Sequence, residues 1–219
     1  MGRERRVPRQ FFGWHLYDTF VRYVKRNARF CPQLRVNLKD APLPIWRRLL
    51  VNGDITLDQL HEILQLSMGW SGYHIHHFHF GNTIYGDLLD AKNKKVKDQT
   101  SIKLSDILTE EGDQFIYEYD LADSWQHEVK VERVVELDGG PALARCIMGK
   151  RACPPEDVGG TEGYRSFLEV VEDPENPEIE EKLTWVGCDF DANSFDARLV
   201  NLQLSLMEAN LSGAMASIF

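Results

Sequence analysis

Alternating apolar and polar residues predict two strands early in the chain. Leu34, Val36 and Leu38 are apolar and are separated by polar residues, which is the period of a strand with one buried face. A turn rich in proline over residues 40–44 leads into a second apolar run, residues 45–51. The spacing therefore predicts an antiparallel pair of strands in this region.

The same alternation predicts a hairpin in the middle of the chain. Phe115, Tyr117 and Tyr119 form one run, and a second begins at Trp125; its apolar phase is Trp125, His127, Val129 and Val131. Residues 121–124 join the two runs as a short turn. A further strand is predicted over residues 74–80, with Gly81 and Asn82 turning the chain into residues 83–85.

Helical spacing indicates helices between these strands. The apolar positions predicted to face inward are Leu57, Leu60, Leu64 and Met68; Tyr164, Phe167, Leu168 and Val171; and Phe195, Leu199, Leu202 and Leu206. Thr56 and Gln59 form a capping box for the first of these helices, and Gly69 ends it. Residues 86–101 are polar and are predicted to be an exposed loop, and residues 172–181 a linker. The expected fold class is α+β: an antiparallel or mixed sheet built from hairpins, with helices packed on it.

Charge divides the chain into two parts. The net charge is −9, but residues 1–30 carry a net +6 and the remainder −15. Residues 10–27 have the spacing of an amphipathic helix, and Pro32 is expected to end it. We therefore predict a basic N-terminal extension, residues 1–30, and one α+β domain, residues 31–219. An acidic body repels a phosphate backbone, so nucleic acid is not an expected partner of that domain.

The lengths of the apolar runs and the spacing of the cysteines indicate the cellular compartment of the protein. No apolar run approaches the length needed to cross a bilayer, so no membrane association is expected. The four cysteines are scattered and include no C-x-x-C pair. This usage is typical of a reduced, cytoplasmic protein.

Four histidines between residues 74 and 79 are the first candidate site. On a strand, His74 and His76 share a face with Phe78, while His77 and His79 lie on the opposite face with Ile75. Two imidazoles on one face can bind the same metal ion, so a divalent transition metal such as zinc is a candidate cofactor. The alternative is that His74 and His76 are structural and hydrogen-bond a loop, while His77 and His79 face solvent.

His127 is the second candidate, because it occupies the apolar phase of its strand. A buried imidazole needs a partner, and Asp120 or Asp123 across the turn could supply one. The pair could move a proton or orient a metal; otherwise His127 is a core histidine with its hydrogen bonds satisfied. His74, His76 and His127 are the candidate metal ligands.

Residues 153–164 form the third candidate segment, in which two prolines stiffen the chain and two glycines let it turn. Its adjacent carboxylates, Glu156 and Asp157, allow one to face inward while the other caps the helix that carries Tyr164. Cys153 has no identified base beside it, so a thiol nucleophile is not indicated. The complete candidate pocket is His74, His76, Asp120, Asp123, Trp125, His127, Glu156, Asp157 and Tyr164.

Four motifs resemble the plasmid pRiA4b ORF-three-like family. They are PIWRR at residues 44–48, WSGYHIH at 70–76, YDLADSWQHEV at 119–129 and CPPEDVGGTEGY at 153–164, and the resemblance extends from about residue 33 to about residue 201. The chain departs from the family pattern at Leu121-Ala122, where an aromatic residue and a glycine are usual, and at Val158, where a cysteine is common. The resemblance implies association with plasmids or mobile elements, in proteins sometimes described as transposon passengers of the resolvase type, and it implies no particular reaction.

Three functions remain open from the sequence. We expect a binding or interaction module for an unidentified protein or small molecule, with its site in the polar His/Asp/Glu pocket. The alternative is a metal-assisted hydrolase that uses the same residues. A DNA-associated accessory protein of a mobile element is the third, based on the family and the basic extension. No catalytic residue can be assigned from the sequence.

Overall fold

An eight-stranded sheet organises the chain in the computed structural model, which describes residues 29–87, 95–137, 141–187 and 190–213. The strands are β1 (Arg29–Leu38), β2 (Trp46–Val51), β3 (His76–Phe80), β4 (Thr83–Gly86), β5 (Val96–Asp98), β6 (Gln114–Tyr119), β7 (Trp125–Leu137) and β8 (Ala144–Lys150). Their order across the sheet is β5-β4-β3-β6-β7-β1-β2-β8. All neighbouring pairs are antiparallel except β4 and β5, which are parallel.

The predicted strand pairs are confirmed, including their faces. Leu34 and Val36 are fully buried, and β1 pairs with β2 through Leu34↔Leu49. The hairpin of β6 and β7 pairs Tyr119 with Trp125 and Tyr117 with His127. One face of the sheet is therefore apolar and covered, while the other carries polar residues.

Four helices accompany the sheet in the described ranges: α1 (Leu57–Met68), α2 (Gly160–Val171), α3 (Ile179–Val186) and α4 (Ala197–Leu211). The Thr56 backbone N–H donates to Gln59 Oε1 at 3.0 Å, and Gly69 ends α1 with φ 97°, as the sequence predicts. The four α1 residues predicted to face inward are all buried. The fold class is α+β.

The predicted inner face of the last helix is wrong. Leu199, Leu202 and Leu206 are 63, 58 and 47% exposed, whereas Val200 and Leu204 are buried. The reason is that polar side chains of α4 bind the free edge of β8. Asn201 Oδ1 accepts from the Cys146 N–H, and Asn201 Nδ2 donates to the Cys146 carbonyl, both at 2.8 Å. These bonds orient the helix and cover the edge strand.

Two smaller expectations also need correction. Residues 86–101 are not all loop, because Val96–Asp98 forms β5 and both Val96 and Gln99 are buried. His77 is buried rather than exposed to solvent. The predicted helix over residues 10–27 lies outside the described residues. No helix in the described part of the chain is both long and apolar enough to cross a bilayer.

Candidate functional site

His74, Asp120 and Asp157 lie together at one end of the sheet. His74 precedes β3, and the pairing of His76 with Tyr119 brings it beside Asp120, the residue after β6. His74 Nδ1 lies 3.8 Å from Asp120 Oδ2, and His74 Nε2 lies 3.2 Å from Asp157 Oδ1. One ligand atom from each residue falls within 4.8 Å of the other two. Three of the four motifs that the sequence singled out therefore contribute one residue each to this cluster.

The backbone at this cluster is held in an uncommon conformation. Asp120 and Asp157 have φ values of 54° and 61°, and Ser124 closes the hairpin turn with φ 52°. Asp120 Oδ1 accepts from the Ala122 N–H at 3.0 Å, and the Asp120 carbonyl accepts from the Ser124 N–H at 2.6 Å. The turn forms without the glycine that is usual in the family at position 122, because Ala122 does not adopt a positive φ here, and aspartate tolerates the left-handed region at position 120. Positive φ at non-glycine residues often marks functional sites.

Glu156 ties its loop to the two neighbouring segments. Its Oε2 accepts from the Ser71 N–H and hydroxyl, at 3.2 and 2.5 Å, and its Oε1 accepts from the Tyr119 hydroxyl at 2.5 Å. Burial and the Glu156 carboxylate raise the pKa of Tyr119. The phenol therefore keeps its proton and remains the donor. Glu156 is thus the inward-facing carboxylate of the pair predicted from the sequence.

The start of α2 is held by Asp123 rather than by Glu156 or Asp157, which corrects the prediction for this loop. Asp123 Oδ2 accepts from the Gly159 N–H at 3.1 Å. A Cβ on Gly160 would come within 2.9 Å of the Asp123 carbonyl oxygen, so this position requires glycine. Asp123 therefore fastens the hairpin turn to the helix.

Trp125 and Tyr164, two further candidate residues, are core residues. Trp125 is 1% exposed and packs against Trp70 with ring centroids 6.0 Å apart. Tyr164 is fully buried, and its hydroxyl has no hydrogen-bond partner among the described residues.

His76 belongs to a stacked pair that sequence reasoning missed. Its ring lies parallel to that of His61 on α1, with centroids 3.5 Å apart. His76 Nε2 meets Gln99 Oε1 at 2.9 Å, and His61 Nδ1 meets the Tyr117 hydroxyl at 2.7 Å. Burial, and secondarily His76, lowers the pKa of His61 to about 3; burial also lowers the pKa of His76. The available signal was the position of His61 on the buried side of α1, four residues after Leu57.

His127 is enclosed in the core and forms no couple with a carboxylate. It is fully buried; its Nδ1 lies 3.2 Å from the Tyr117 carbonyl, and its Nε2 has no partner among the described residues. Burial lowers its pKa to about 4. His74, His76 and His127 therefore do not converge as the predicted metal ligands. His74 instead meets two carboxylates, because the loop before α2 reaches it.

Two cavities adjoin at the cluster. One, of about 650 Å³, is lined by residues that include Trp70, Glu156 and Asp157. The other, of about 560 Å³, is lined by residues that include His74 and His76. Since the His74 and Asp157 side chains are 3.2 Å apart, this pair stands where the cavities meet. A ligand in either cavity can reach it.

Comparison with known proteins places the whole site within a shared region. A family model described as plasmid pRiA4b ORF-3-like protein matches residues 31–199. The uncharacterized protein y4hQ of Sinorhizobium fredii (strain NBRC 101917 / NGR234) is 34% identical over 164 residues, which are 73% of this chain and 83% of that protein. The crystal structure of MM3350 from Methanosarcina mazei Go1, a protein of unknown function, matches with a TM-score of 0.70 and 33% identity over 78% of this chain and 97% of the other.

Proposed function

This chain belongs to the plasmid pRiA4b ORF-3-like family, and we propose that it is a binding module whose ligand is held by a divalent metal ion at His74, Asp120 and Asp157. The observation that carries the proposal is the approach of their three ligand atoms to within 4.8 Å of one another. One imidazole and two carboxylates form a donor set suited to transition metals such as zinc or manganese.

Exposure at the cluster fits a site that binds a further ligand. The Asp120 side chain is 9% exposed, whereas those of His74 and Asp157 are 31 and 71% exposed. Asp120 would hold the ion on its inner side, and the outer side remains accessible from both cavities. Three protein ligands leave at least one coordination position for a ligand, as in zinc sites that are not purely structural.

A metal titration tests this proposal. The full chain, stripped with a chelator, is titrated with Zn²⁺ or Mn²⁺ by calorimetry, and His74→Ala and Asp157→Asn are each expected to weaken one site by at least about tenfold. Asp54→Asn is the matched control, since Asp54 is exposed and pairs with Lys103 away from the cluster. Unchanged isotherms for both cluster variants, with melting curves that show folded protein, contradict the proposal.

The second candidate function is a metal-assisted hydrolase, favoured by the position of Glu156. This carboxylate is next to Asp157 in sequence and is held by the Ser71 and Tyr119 hydroxyl groups. A carboxylate beside an open metal site can accept a proton from bound water. With Zn²⁺ or Mn²⁺ present, turnover of chromogenic phosphate or carboxylate esters that Glu156→Gln abolishes while metal still binds supports the hydrolase. Metal binding without turnover supports the binding module.

A further inference from the structure

His77, His79 and Glu118 lie together on the polar face of the sheet, away from His76 and Phe78. His77 and Glu118 are directly paired on β3 and β6, and His79 follows two residues along β3. Directly paired residues and residues two apart project from the same face of a sheet. The pairing of β3 with β6 thus brings three potential metal ligands together. These residues were not among the metal ligands predicted from the sequence.

Distances within this group suit a metal ion. His79 Nε2 lies 3.1 Å from Glu118 Oε2, and ligand atoms from all three residues fall within 4.8 Å of one another. Two atoms that each bind Zn²⁺ at about 2.1 Å are about 3.0–3.4 Å apart for angles between octahedral and tetrahedral values. The His79–Glu118 separation already meets this condition, and His77 offers a third ligand atom within 4.8 Å of both.

Glu118 is oriented as metal-binding carboxylates are. The Ser124 hydroxyl donates to its Oε1 at 2.7 Å, which leaves Oε2 directed at His79. The Glu118 side chain is only 16% exposed. Outer-shell hydrogen bonds of this kind orient ligands and strengthen metal binding.

The charge of Glu118 is not matched by a lysine or arginine. Among the described residues, its one charged-group neighbour within 4.0 Å is His79, which is neutral unless protonated. Partial burial makes a carboxylate without a cation more costly than one on the open surface. We propose that His77, His79 and Glu118 form a transition-metal site, distinct from the cluster at His74, Asp120 and Asp157. Two imidazoles and one carboxylate favour zinc or a similar ion over calcium or magnesium, which prefer oxygen ligands.

The test uses Zn²⁺ as the probe and the chelator-stripped full chain. Glu118→Gln and His79→Gln are expected to weaken one Zn²⁺ site by at least about tenfold in calorimetry. Asp157→Asn is the matched control, because it removes a carboxylate from the other cluster and should leave this site unchanged. The proposal is overturned if the wild type binds no Zn²⁺ up to about 100 µM, or if both variants bind Zn²⁺ as tightly as the wild type does. The comparison requires that both variants give cooperative melting curves, which show that they are folded.

A measurement on the wild type tests the same site without depending on whether the variants fold. On addition of one equivalent of Zn²⁺, the ring nitrogen resonances of His77 and His79 are expected to shift in ¹⁵N-edited NMR spectra. Shifts confined to other histidines overturn the proposal. Loss of Zn²⁺ binding with Glu118→Gln but not with Asp157→Asn supports this site while the proposed function fails, so the two outcomes are separable.

Discussion

Replacing His127 by phenylalanine should make the fold more resistant to acid. His127 is fully buried among aromatic rings, with Trp70 and Tyr117 at centroid distances of 5.3 and 5.4 Å, and its Nε2 has no partner among the described residues. Phenylalanine has a similar shape and cannot be protonated. The variant loses the 3.2 Å contact with the Tyr117 carbonyl but also removes an unpaired polar atom. At neutral pH its stability should be within about 1–2 kcal/mol of wild type.

The effect of acid follows from the pKa of His127, which burial lowers from 6.5 to about 4. Between these values the unfolded chain binds a proton that the folded chain does not. The free energy of unfolding is therefore undiminished above about pH 6.5 and falls as the pH drops toward about 4. From about pH 7.5 to about pH 5, this one group removes about 2 kcal/mol. The His127→Phe variant should not lose this part of the free energy of unfolding on acidification, whereas the parts that depend on His61 and His76 remain.

Urea unfolding followed by tryptophan fluorescence measures this difference at the two pH values. Trp125→Phe is a suitable control, because it shrinks a buried aromatic side chain without changing a titratable group. It should lower stability by the same amount at both pH values. If His127→Phe loses as much stability on acidification as wild type does, to within about 0.5 kcal/mol, His127 is not the buried neutral group that the structure shows.

Three further predictions concern stability. Arg47→Met should cost about 3 kcal/mol in urea unfolding, since the buried guanidinium donates to three backbone carbonyls, and a loss below about 1 kcal/mol contradicts this role. Asn201→Ala should cost about 2 kcal/mol, because two hydrogen bonds to the Cys146 backbone are lost; Asn201→Asp should not restore this stability, because a carboxylate oxygen would face the Cys146 carbonyl where the amide N–H donates. A chain that starts at Arg29 should melt cooperatively near the full-length temperature. One that starts at Cys31 should melt lower, because Phe30 covers Gly53 and its carbonyl accepts from the Gly53 N–H; equal melting temperatures refute this boundary.

Local periodicity was enough to predict most elements of the sheet and the first helix. The β6–β7 hairpin and α1 were predicted with their buried faces. In a strand with one solvent-exposed face, and in an amphipathic helix, buried positions recur at a regular spacing that the sequence shows as apolar residues. α4 could not be oriented in this way. Its leucines at 199, 202 and 206 satisfy helical spacing as well as Val200 and Leu204 do. Which of these two faces is buried depends on the hydrogen bonds between Asn201 and the edge of β8. That contact joins residues 55 positions apart.

Which residues carry the candidate chemistry was largely readable from the sequence, but their partners were not. Imidazoles and carboxylates stood out in three motifs, so His74, Asp120 and Asp157 were all named as candidates. His61 and Glu118 were missed, because each looks like an ordinary position of a helix or a strand when read locally. Strand register decided that His77 meets Glu118, and a loop more than eighty residues away in sequence decided that His74 meets Asp157. Side-chain type determines which bonds are possible, whereas the packing of distant segments determines which of those bonds form.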